Sequence, residues 1–163
     1  MYEGEWQNNE RHGKGKLKSP DGVTYSGEFV GGKKNGSGLE KFTNGAQYEG
    51  EFLAGQRHGK GKYVFPSGAQ YSGDFYNGKM HGKGKIEFSD MSEYVGEFEN
   101  NKYHGKGTEV MVNGEKYTGE YVQGKKQGQG VYEWSNGTRY EGGWLNNKQH
   151  GEGKLIYKDG EVK

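Results

Sequence analysis

The chain has 163 residues, of which 28% are apolar and 33 are glycine, about three times the usual proportion of glycine. The 23 basic and 22 acidic residues give a net charge of +1, which excludes a wholly basic nucleic-acid binder. The absence of cysteine excludes disulfides and thiolate metal sites, and no apolar run is long enough to span a membrane. The aromatic share of 14% predicts an ordered chain. The absence of cysteine and of a signal-peptide pattern in MYEGEW predicts a cytoplasmic protein.

A tyrosine recurs every 23 residues without an insertion or deletion. It is followed two residues later by a glycine, and after two more residues by a second aromatic residue. The tyrosines are Tyr2, Tyr25, Tyr48, Tyr71, Tyr94, Tyr117 and Tyr140, and the second aromatics are Trp6, Phe29, Phe52, Phe75, Phe98, Tyr121 and Trp144. This spacing has the period of a β-strand, which places the three positions on one face of a sheet.

The second half of each 23-residue unit has another pattern of period two, beginning in the first unit with Gly13 and Gly15. It predicts a return strand, with a turn between the strands at residues that accept a positive φ, such as Asn9 and Gly32. Turn dipeptides such as Asn44-Gly45 then join one hairpin to the next. Because glycine weakens a strand, we predict that aromatic rings from neighbouring positions lie across the strand glycines.

One link between hairpins departs from this pattern, since Met91 stands where the other links have glycine. Methionine does not easily adopt a positive φ, so we predict a local irregularity between the fourth and fifth units. The alternative is that this one turn tolerates methionine.

The segment YEGEW-x-x-N-x-x-HGKG and its six copies resemble the MORN (membrane occupation and recognition nexus) repeat. The resemblance implies an all-β fold: an elongated, twisted, trough-like single-layer antiparallel sheet of seven tandem β-hairpins. The array is expected to cover residues 2–160, followed by a tail at 161–163. MORN arrays are similar to assembly platforms at membrane-associated and cytoskeletal structures, and the family occurs beside methyltransferase and lipid-kinase domains.

Catalytic and metal sites are not expected. All five histidines occupy one position of the repeat, where the other two copies have Asn35 and Gln127. Amides cannot replace a metal ligand or a titrating base, and successive units are about 10 Å apart, so we predict that these side chains bind the hairpin loops. The paired carboxylates Glu49 and Glu51 are expected on the outer face opposite Lys60 and Lys62, as a self-neutralising surface. No cofactor is predicted.

Two surfaces are candidates for binding. The first is a row of basic residues near the first loop of each unit, which could bind acidic phospholipid headgroups or an acidic protein. Its members are Arg11, Lys33, Lys34, Arg57, Lys79, Lys102, Lys125, Lys126 and Lys148. The second is the aromatic trough, of which about half the rings are expected to retain surface for a partner. Its members are Tyr2, Trp6, Tyr25, Phe29, Tyr48, Phe52, Tyr71, Phe75, Tyr94, Phe98, Tyr117, Tyr121, Trp134, Tyr140 and Trp144, flanked by Phe42, Phe65, Phe88 and Tyr157.

The sequence therefore predicts a non-catalytic protein-interaction or scaffolding module that binds a protein segment, or a second copy of itself, peripheral to a membrane or the cytoskeleton. Neither end of the repeat pattern has an obvious cap, which predicts a piece of a longer protein and favours homodimerisation through an open strand. Phosphoinositide binding through the basic row is the first alternative. Regulation of an enzyme domain in a longer parent chain is the second, and no nucleic-acid partner is expected.

Overall fold

The computed structural model describes residues 1–163, which form fourteen β-strands in one open, single-layer antiparallel sheet. The spatial order of the strands is their order in the chain, and each repeat supplies two neighbouring strands. The all-β hairpin array predicted from the sequence is thus confirmed. No helix of the structure has the length and apolar character needed to cross a membrane.

The chain divides into two compact units, residues 1–80 and residues 81–163. The first contains β1 (Tyr2–Gln7), β2 (Glu10–Lys18), β3 (Thr24–Val30), β4 (Lys33–Lys41), β5 (Gln47–Leu53), β6 (Gln56–Val64) and β7 (Gln70–Tyr76). β8 (Lys79–Glu87) begins at the boundary. The second contains β9 (Glu93–Glu99), β10 (Lys102–Val110), β11 (Lys116–Val122), β12 (Lys125–Glu133), β13 (Arg139–Leu145) and β14 (Lys148–Ile156).

The two strands of each hairpin are joined by a two-residue turn in which both residues have a positive φ. In the first hairpin these residues are Asn8 (φ 52°) and Asn9 (φ 62°). This geometry matches the natural twist of a hairpin and favours asparagine and glycine. Ala54 and Gln123 adopt the same conformation (φ 50° at each), although neither is a residue type that favours a positive φ.

The links between hairpins share one hydrogen-bond pattern. The Phe42 N–H donates to the Ala46 carbonyl (2.9 Å), and the Gly45 N–H donates to the Phe42 carbonyl (3.2 Å). The link at Met91 has the same two bonds, and Met91 itself adopts a φ of 75°. The predicted irregularity is therefore wrong, and the alternative that the turn tolerates methionine is confirmed. The side chain is 87% exposed, so it meets no steric obstacle beyond its own backbone.

Six hairpins, those of β1–β2, β3–β4, β5–β6, β9–β10, β11–β12 and β13–β14, also contain a bulge in the return strand. Between β5 and β6, Gly50 pairs with Gly61, but the next pair joins Phe52 to Arg57, so β6 has two extra residues. Gly59 lies in the bulge with a φ of 68°, a conformation that glycine adopts without strain. The first glycine of each G-x-G pair is thus required by the backbone and does not lie beneath a ring.

A carboxylate holds each bulge in place where the repeat has glutamate. The Glu51 Oε2 atom accepts a hydrogen bond from the Lys60 backbone N–H (2.5 Å). Equivalent bonds are made by Glu5, Glu28, Glu97 and Glu120. Glu49 does lie opposite Lys62 in the sheet register, as predicted. For Glu51 the prediction of a solvated ion-pair surface is incomplete, because its carboxylate binds the main chain.

The second glycine of each G-x-G pair packs against a tyrosine, as the sequence predicts. An added Cβ atom on Gly61 would come within 2.5 Å of the Tyr48 Cε2 atom. The Tyr48 hydroxyl then donates to the Glu51 carbonyl (2.7 Å), which satisfies its polar end. The same close approach of a tyrosine ring recurs at Gly15, Gly38, Gly107, Gly130 and Gly153.

Residues 161–163 continue the sheet. Leu155 and Lys163 exchange two backbone hydrogen bonds (2.8 and 2.9 Å), and Ile156 pairs with Val162 in an isolated antiparallel bridge. The predicted tail therefore folds back on β14.

Candidate interaction surface

The tyrosine-bearing face of the sheet is built on a layer of edge-to-face aromatic contacts. The Tyr25 ring lies 5.0 Å from Phe29 in its own strand and 5.2 Å from Phe52 in the next hairpin, with interplanar angles of 81° and 89°. Tyr48 makes the corresponding contacts to Phe52 and Phe75. Five of the repeat tyrosines touch rings of two hairpins in this way, so the layer ties their repeats together. These tyrosines are Tyr2, Tyr25, Tyr48, Tyr94 and Tyr117.

This ring layer is almost fully covered. The buried members are Tyr25, Phe29, Tyr48, Phe52, Tyr71, Phe75, Tyr94, Phe98, Tyr117, Tyr121, Tyr140 and Trp144. Of the predicted trough residues, Tyr2 and Trp134 are half-buried, and only Trp6 is well exposed, at 62%. The expectation that about half of these rings offer surface to a partner is wrong, since their edges and faces are used within the sheet.

A second layer of side chains covers the rings, and this covering layer is the accessible surface of the face. Two of its positions recur in each repeat, one just after the hairpin turn and one six residues later. Leu17, for example, lies opposite Tyr2 on one side and Tyr25 on the other. The members of the covering layer in the first unit are Arg11, Leu17, Lys34, Glu40, Phe42, Arg57, Tyr63 and Phe65, and in the second unit they are Tyr103, Glu109, Lys126, Tyr132 and Trp134. Phe42, Phe65 and Trp134 lie two residues beyond the second of the two positions.

In the first unit, the covering layer holds cations directly over the rings. The Lys34 Nζ atom lies 5.2 Å from the centre of the Tyr25 ring, and the Arg57 guanidinium lies 4.9 Å from Tyr63 and 5.6 Å from Phe42. Between these cations lies Glu40, which is 7% exposed and forms an ion pair with Lys34. The distance from its Oε1 atom to the Arg57 Nε atom is 3.9 Å. The ring faces thus hold the cations in defined positions.

In the second unit, an aromatic residue takes one of the cation positions, whereas Glu109 stands at the position of Glu40 and Lys126 keeps a cation over the Tyr117 ring. Tyr103 occupies the position of Lys34 and stacks on Tyr94, with ring centres 3.8 Å apart and an interplanar angle of 4°. Glu109 accepts a hydrogen bond from the Tyr121 hydroxyl (3.0 Å) and lies 3.8 Å from the Lys126 Nζ atom. The two units therefore present different chemistry on the same backbone.

The hydroxyls of the buried tyrosines stay protonated. Burial raises the pKa of Tyr25 and of Tyr48 to about 12, and burial together with the nearby Glu109 raises the pKa of Tyr121 further. A raised pKa keeps a tyrosine neutral and makes it a hydrogen-bond donor near neutral pH. These rings therefore have a structural role, with no proton to exchange.

The predicted basic row separates into two groups. Arg11, Lys34, Arg57 and Lys126 lie over aromatic rings, and the last three also lie within 4 Å of a carboxylate, so the prediction of an edge with few acidic neighbours is wrong for them. The remaining lysines are exposed: Lys33, Lys79, Lys102, Lys125 and Lys148.

At two copies of the histidine position the side chain binds a hairpin loop, as the sequence predicts. The Nδ1 atom of His104 accepts a hydrogen bond from the Gln123 N–H in the turn of the following hairpin (3.3 Å). Asn35 does the same for the Ala54 N–H through its side-chain oxygen (3.3 Å), which explains why an amide replaces histidine here. No group of three or more His, Asp or Glu side chains converges as a metal site would require.

Sequence reasoning named some of the covering residues, among them Arg57, Phe42 and Phe65, but missed that they form one layer over the rings. The positions just after the hairpin turn and six residues later carry different residue types from repeat to repeat, so they leave no periodic signal of their own. They could have been found by counting, because the strand register places the residue two after the second glycine of G-x-G opposite two tyrosines.

The family model for the MORN repeat matches the chain seven times. The chain belongs to the MORN repeat family. The matched segments are residues 2–24, 25–47, 48–70, 71–90, 94–116, 117–139 and 140–162. Only the fourth match stops short, immediately before Met91. The family assignment confirms the resemblance found in the sequence.

The MORN array is also similar to two solved structures. One is the SAS-4 (dCPAP) TCP domain of Drosophila melanogaster in complex with a proline-rich motif of Ana2 (dSTIL), with 14% identity, a TM-score of 0.56, and coverage of 93% of this chain and 82% of that one. The other is the TCP10 domain of Danio rerio CPAP in complex with a STIL peptide, with 12% identity, a TM-score of 0.41, and coverage of 99% and 82%. No match was found among curated proteins.

Proposed function

We propose that this MORN array is a non-catalytic interaction module whose tyrosine-bearing face binds an extended segment of a partner protein. The observation that carries the proposal is the covering layer, in which half-buried rings lie beside partly buried charges. In the first unit the Tyr63 ring lies 4.8 Å from Phe65 and 6.3 Å from Phe42, with the Arg57 guanidinium next to them. Aromatic side chains and arginine are the residues that most often dominate protein interfaces.

The similarity to the fly TCP domain supports this proposal at the level of the fold. That domain was solved with a bound segment of a partner protein, and its TM-score of 0.56 relates its fold to this one. A sheet of this type exposes both faces, so a partner segment can lie across many strands. We propose that the sheet of this chain likewise binds a segment of a partner protein.

A display selection of random peptides against the wild-type protein tests the proposal. The double variant Tyr63→Ser with Phe65→Ser removes two half-buried rings of the covering layer, and we expect it to weaken binding of the selected peptides at least tenfold. Lys62→Ser is the matched control, since it alters the neighbouring residue on the opposite face. Failure to select any peptide, or equal binding to all three proteins, would contradict the proposal.

The cellular setting is part of the proposal. We place the protein in the cytoplasm, at a membrane-associated or cytoskeletal structure, and we retain self-association through open strand edges as a further mode of binding. Phosphoinositide binding now depends on the exposed lysines alone, three of which (Lys102, Lys125 and Lys148) lie in consecutive hairpins of the second unit.

A further inference from the structure

We propose that the segment bound by the first unit is acidic and adopts the polyproline II conformation, with each MORN repeat contacting one residue in three. This inference rests on the proposed function and specifies the partner of the same face. It follows from three properties of the covering layer in residues 1–80: its charge, its spacing and its rings.

The charge of this part of the covering layer is positive. Three consecutive hairpins place a cation at the same position, namely Arg11, Lys34 and Arg57, and each lies over the ring layer. Glu40 is the one carboxylate among the covering residues of this unit, and it is paired with Lys34. Glu40 also lies 3.9 Å from the Arg57 Nε atom, but one carboxylate offsets only one of the three cations, so a net positive charge remains to attract acidic residues of a partner.

These cations are also fixed in place before a partner arrives. The Arg11 Nη2 atom donates to the Gly32 carbonyl (2.8 Å), and its guanidinium lies 5.4 Å from the Phe29 ring. The Arg57 side chain is 26% exposed, which leaves part of the guanidinium open while three rings surround the rest. Preorganised donors of this kind lose little entropy when they bind a carboxylate.

The spacing of the repeat fits a polyproline II helix. Equivalent residues of successive hairpins are two strands apart, which is about 9.6 Å. A polyproline II helix rises about 3.1 Å per residue and has three residues per turn, so every third residue advances by about 9.3 Å. A segment that crosses the strands at right angles would thus present the same side of its helix to each repeat. A β-strand returns to one face every two residues, about 6.6 Å, and an α-helix about every seven residues, about 10.5 Å, so both match the step of the repeat less closely.

Half-buried rings of the covering layer supply the apolar contacts that such a segment needs. Phe42, Tyr63 and Phe65 form one cluster, with Tyr63 in contact with both phenylalanines. Polyproline II segments bind aromatic-lined grooves, because proline rings pack on aromatic faces and the helix is already ordered. Arg57 borders this cluster, so an acidic residue beside a proline would meet the cation and the rings together.

Binding of synthetic peptides, followed by fluorescence anisotropy, tests the inference. The probe is a labelled peptide of three Glu-Pro-Pro triplets, with Lys-Pro-Pro and Glu-Gly-Gly peptides of equal length as controls. We expect both controls to bind at least tenfold more weakly, the first because its charge is reversed and the second because it does not favour polyproline II. Equal binding of the three peptides would overturn the inference.

Matched variants locate the binding to the first unit. We expect Arg57→Gln to weaken binding of the Glu-Pro-Pro peptide at least fivefold, and Arg11→Gln provides a second variant that lies farther from the ring cluster. Lys125→Gln removes an exposed cation of the second unit that lies outside the covering layer, and it is expected to leave binding unchanged. Equal losses for Arg57→Gln and Lys125→Gln would contradict the assignment to residues 1–80.

The outcome also separates this inference from the proposed function. If peptides selected by display require Tyr63 and Phe65 but contain neither acidic residues nor prolines, the face binds protein segments and the polyproline II assignment is wrong. If no peptide of any composition depends on those two rings, both fail.

Discussion

The ring of Tyr48 lies so close to Gly61, on the neighbouring strand, that no other residue fits at position 61 without movement of the sheet. The two glycines Gly50 and Gly61 face each other in the ladder, and the ring covers both. This contact explains how a single-layer sheet forms a core: the absent side chains leave a channel for the rings, and the rings exclude water from the backbone beneath them.

Replacing Gly61 by alanine therefore tests the packing of the ring layer. An added methyl group would overlap the Tyr48 ring, so we expect Gly61→Ala to lower the free energy of unfolding by about 2 kcal/mol or more. The measurement is urea denaturation followed by circular dichroism. Lys62→Ala, at the next position on the opposite face, is expected to change stability by less than about 0.5 kcal/mol. Similar effects of the two variants would contradict this account.

The role of the bulge carboxylate is tested by two glutamates of one strand. Glu51→Ala leaves the Lys60 N–H without its acceptor, and we expect a loss of about 1 kcal/mol. Glu49→Ala removes only an exposed partner of Lys62 across the sheet and is expected to cost a few tenths of that. Thermal denaturation of both variants gives the comparison. A larger effect for Glu49→Ala would show that the surface ion pairs matter more than the bulge.

Met91 gives a prediction of increased stability. A non-glycine residue in the left-handed region is strained by about 1–2 kcal/mol, so we expect Met91→Gly to stabilise the protein by up to about 1 kcal/mol once the greater freedom of glycine in the unfolded chain is counted. The converse substitution, Gly114→Met, lies in the next link, where an added Cβ would meet no atom within 4 Å. It is expected to destabilise by a similar amount, as measured by denaturant midpoints.

The buried tyrosines should make the stability of the folded state sensitive to alkaline pH. Burial raises the pKa of Tyr25, Tyr48 and Tyr117 to about 12, above their unfolded value of 10.0, so the folded state retains these protons to higher pH. Their contribution to stability is complete below pH 10 and is lost as the pH rises towards 12. We expect unfolding and tyrosine ionisation to occur together in this range, as followed by circular dichroism and ultraviolet absorbance. Ionisation with retained β-structure would contradict the prediction.

Liposome sedimentation tests the alternative partner. Because binding by a protein segment is proposed, we expect no saturable binding to phosphoinositide vesicles at physiological salt. Salt-sensitive binding that is lost when Lys102, Lys125 and Lys148 become glutamate would instead favour the lipid. Lys126→Glu serves as a comparison, since that cation lies over the Tyr117 ring and not among the exposed lysines.

The sequence was sufficient to predict the strands, the hairpin pairing and the tyrosine–glycine packing, because each depends on a residue type that recurs every 23 positions. The prediction from the sequence was incomplete where one residue type has two different structural roles. Gly59 and Gly61 are alike in the pattern, but one is required by its positive φ and the other by a ring. Glu49 and Glu51 differ in the same way, since only the second reaches a backbone N–H.

The accessible surface of the tyrosine-bearing face was harder to predict, because the burial of one side chain depends on the side chains that lie over it. Period alone shows that Tyr48 and Phe52 share a face, but not that Arg57 and Tyr63 cover them. The cations were misplaced for the same reason, as Lys33 and Lys34 are neighbours in the chain but point to different surroundings, one to solvent and one to the Tyr25 ring.

The tether between a hairpin turn and the hairpin before it has a consequence for how such a chain could be edited. The Gly55 N–H donates to the Lys34 carbonyl (2.9 Å), and the Asn35 side chain binds Ala54, so each module is fastened only to its immediate neighbour. Deletion of one whole repeat of 23 residues would join equivalent positions of two repeats, so the turn-to-strand bonds could form again. Deletion of an odd number of residues within one strand would instead move its tyrosine to the opposite face of the sheet. The array can therefore be shortened or lengthened only by whole repeats, and an inserted repeat would form the same hydrogen bonds to its neighbours.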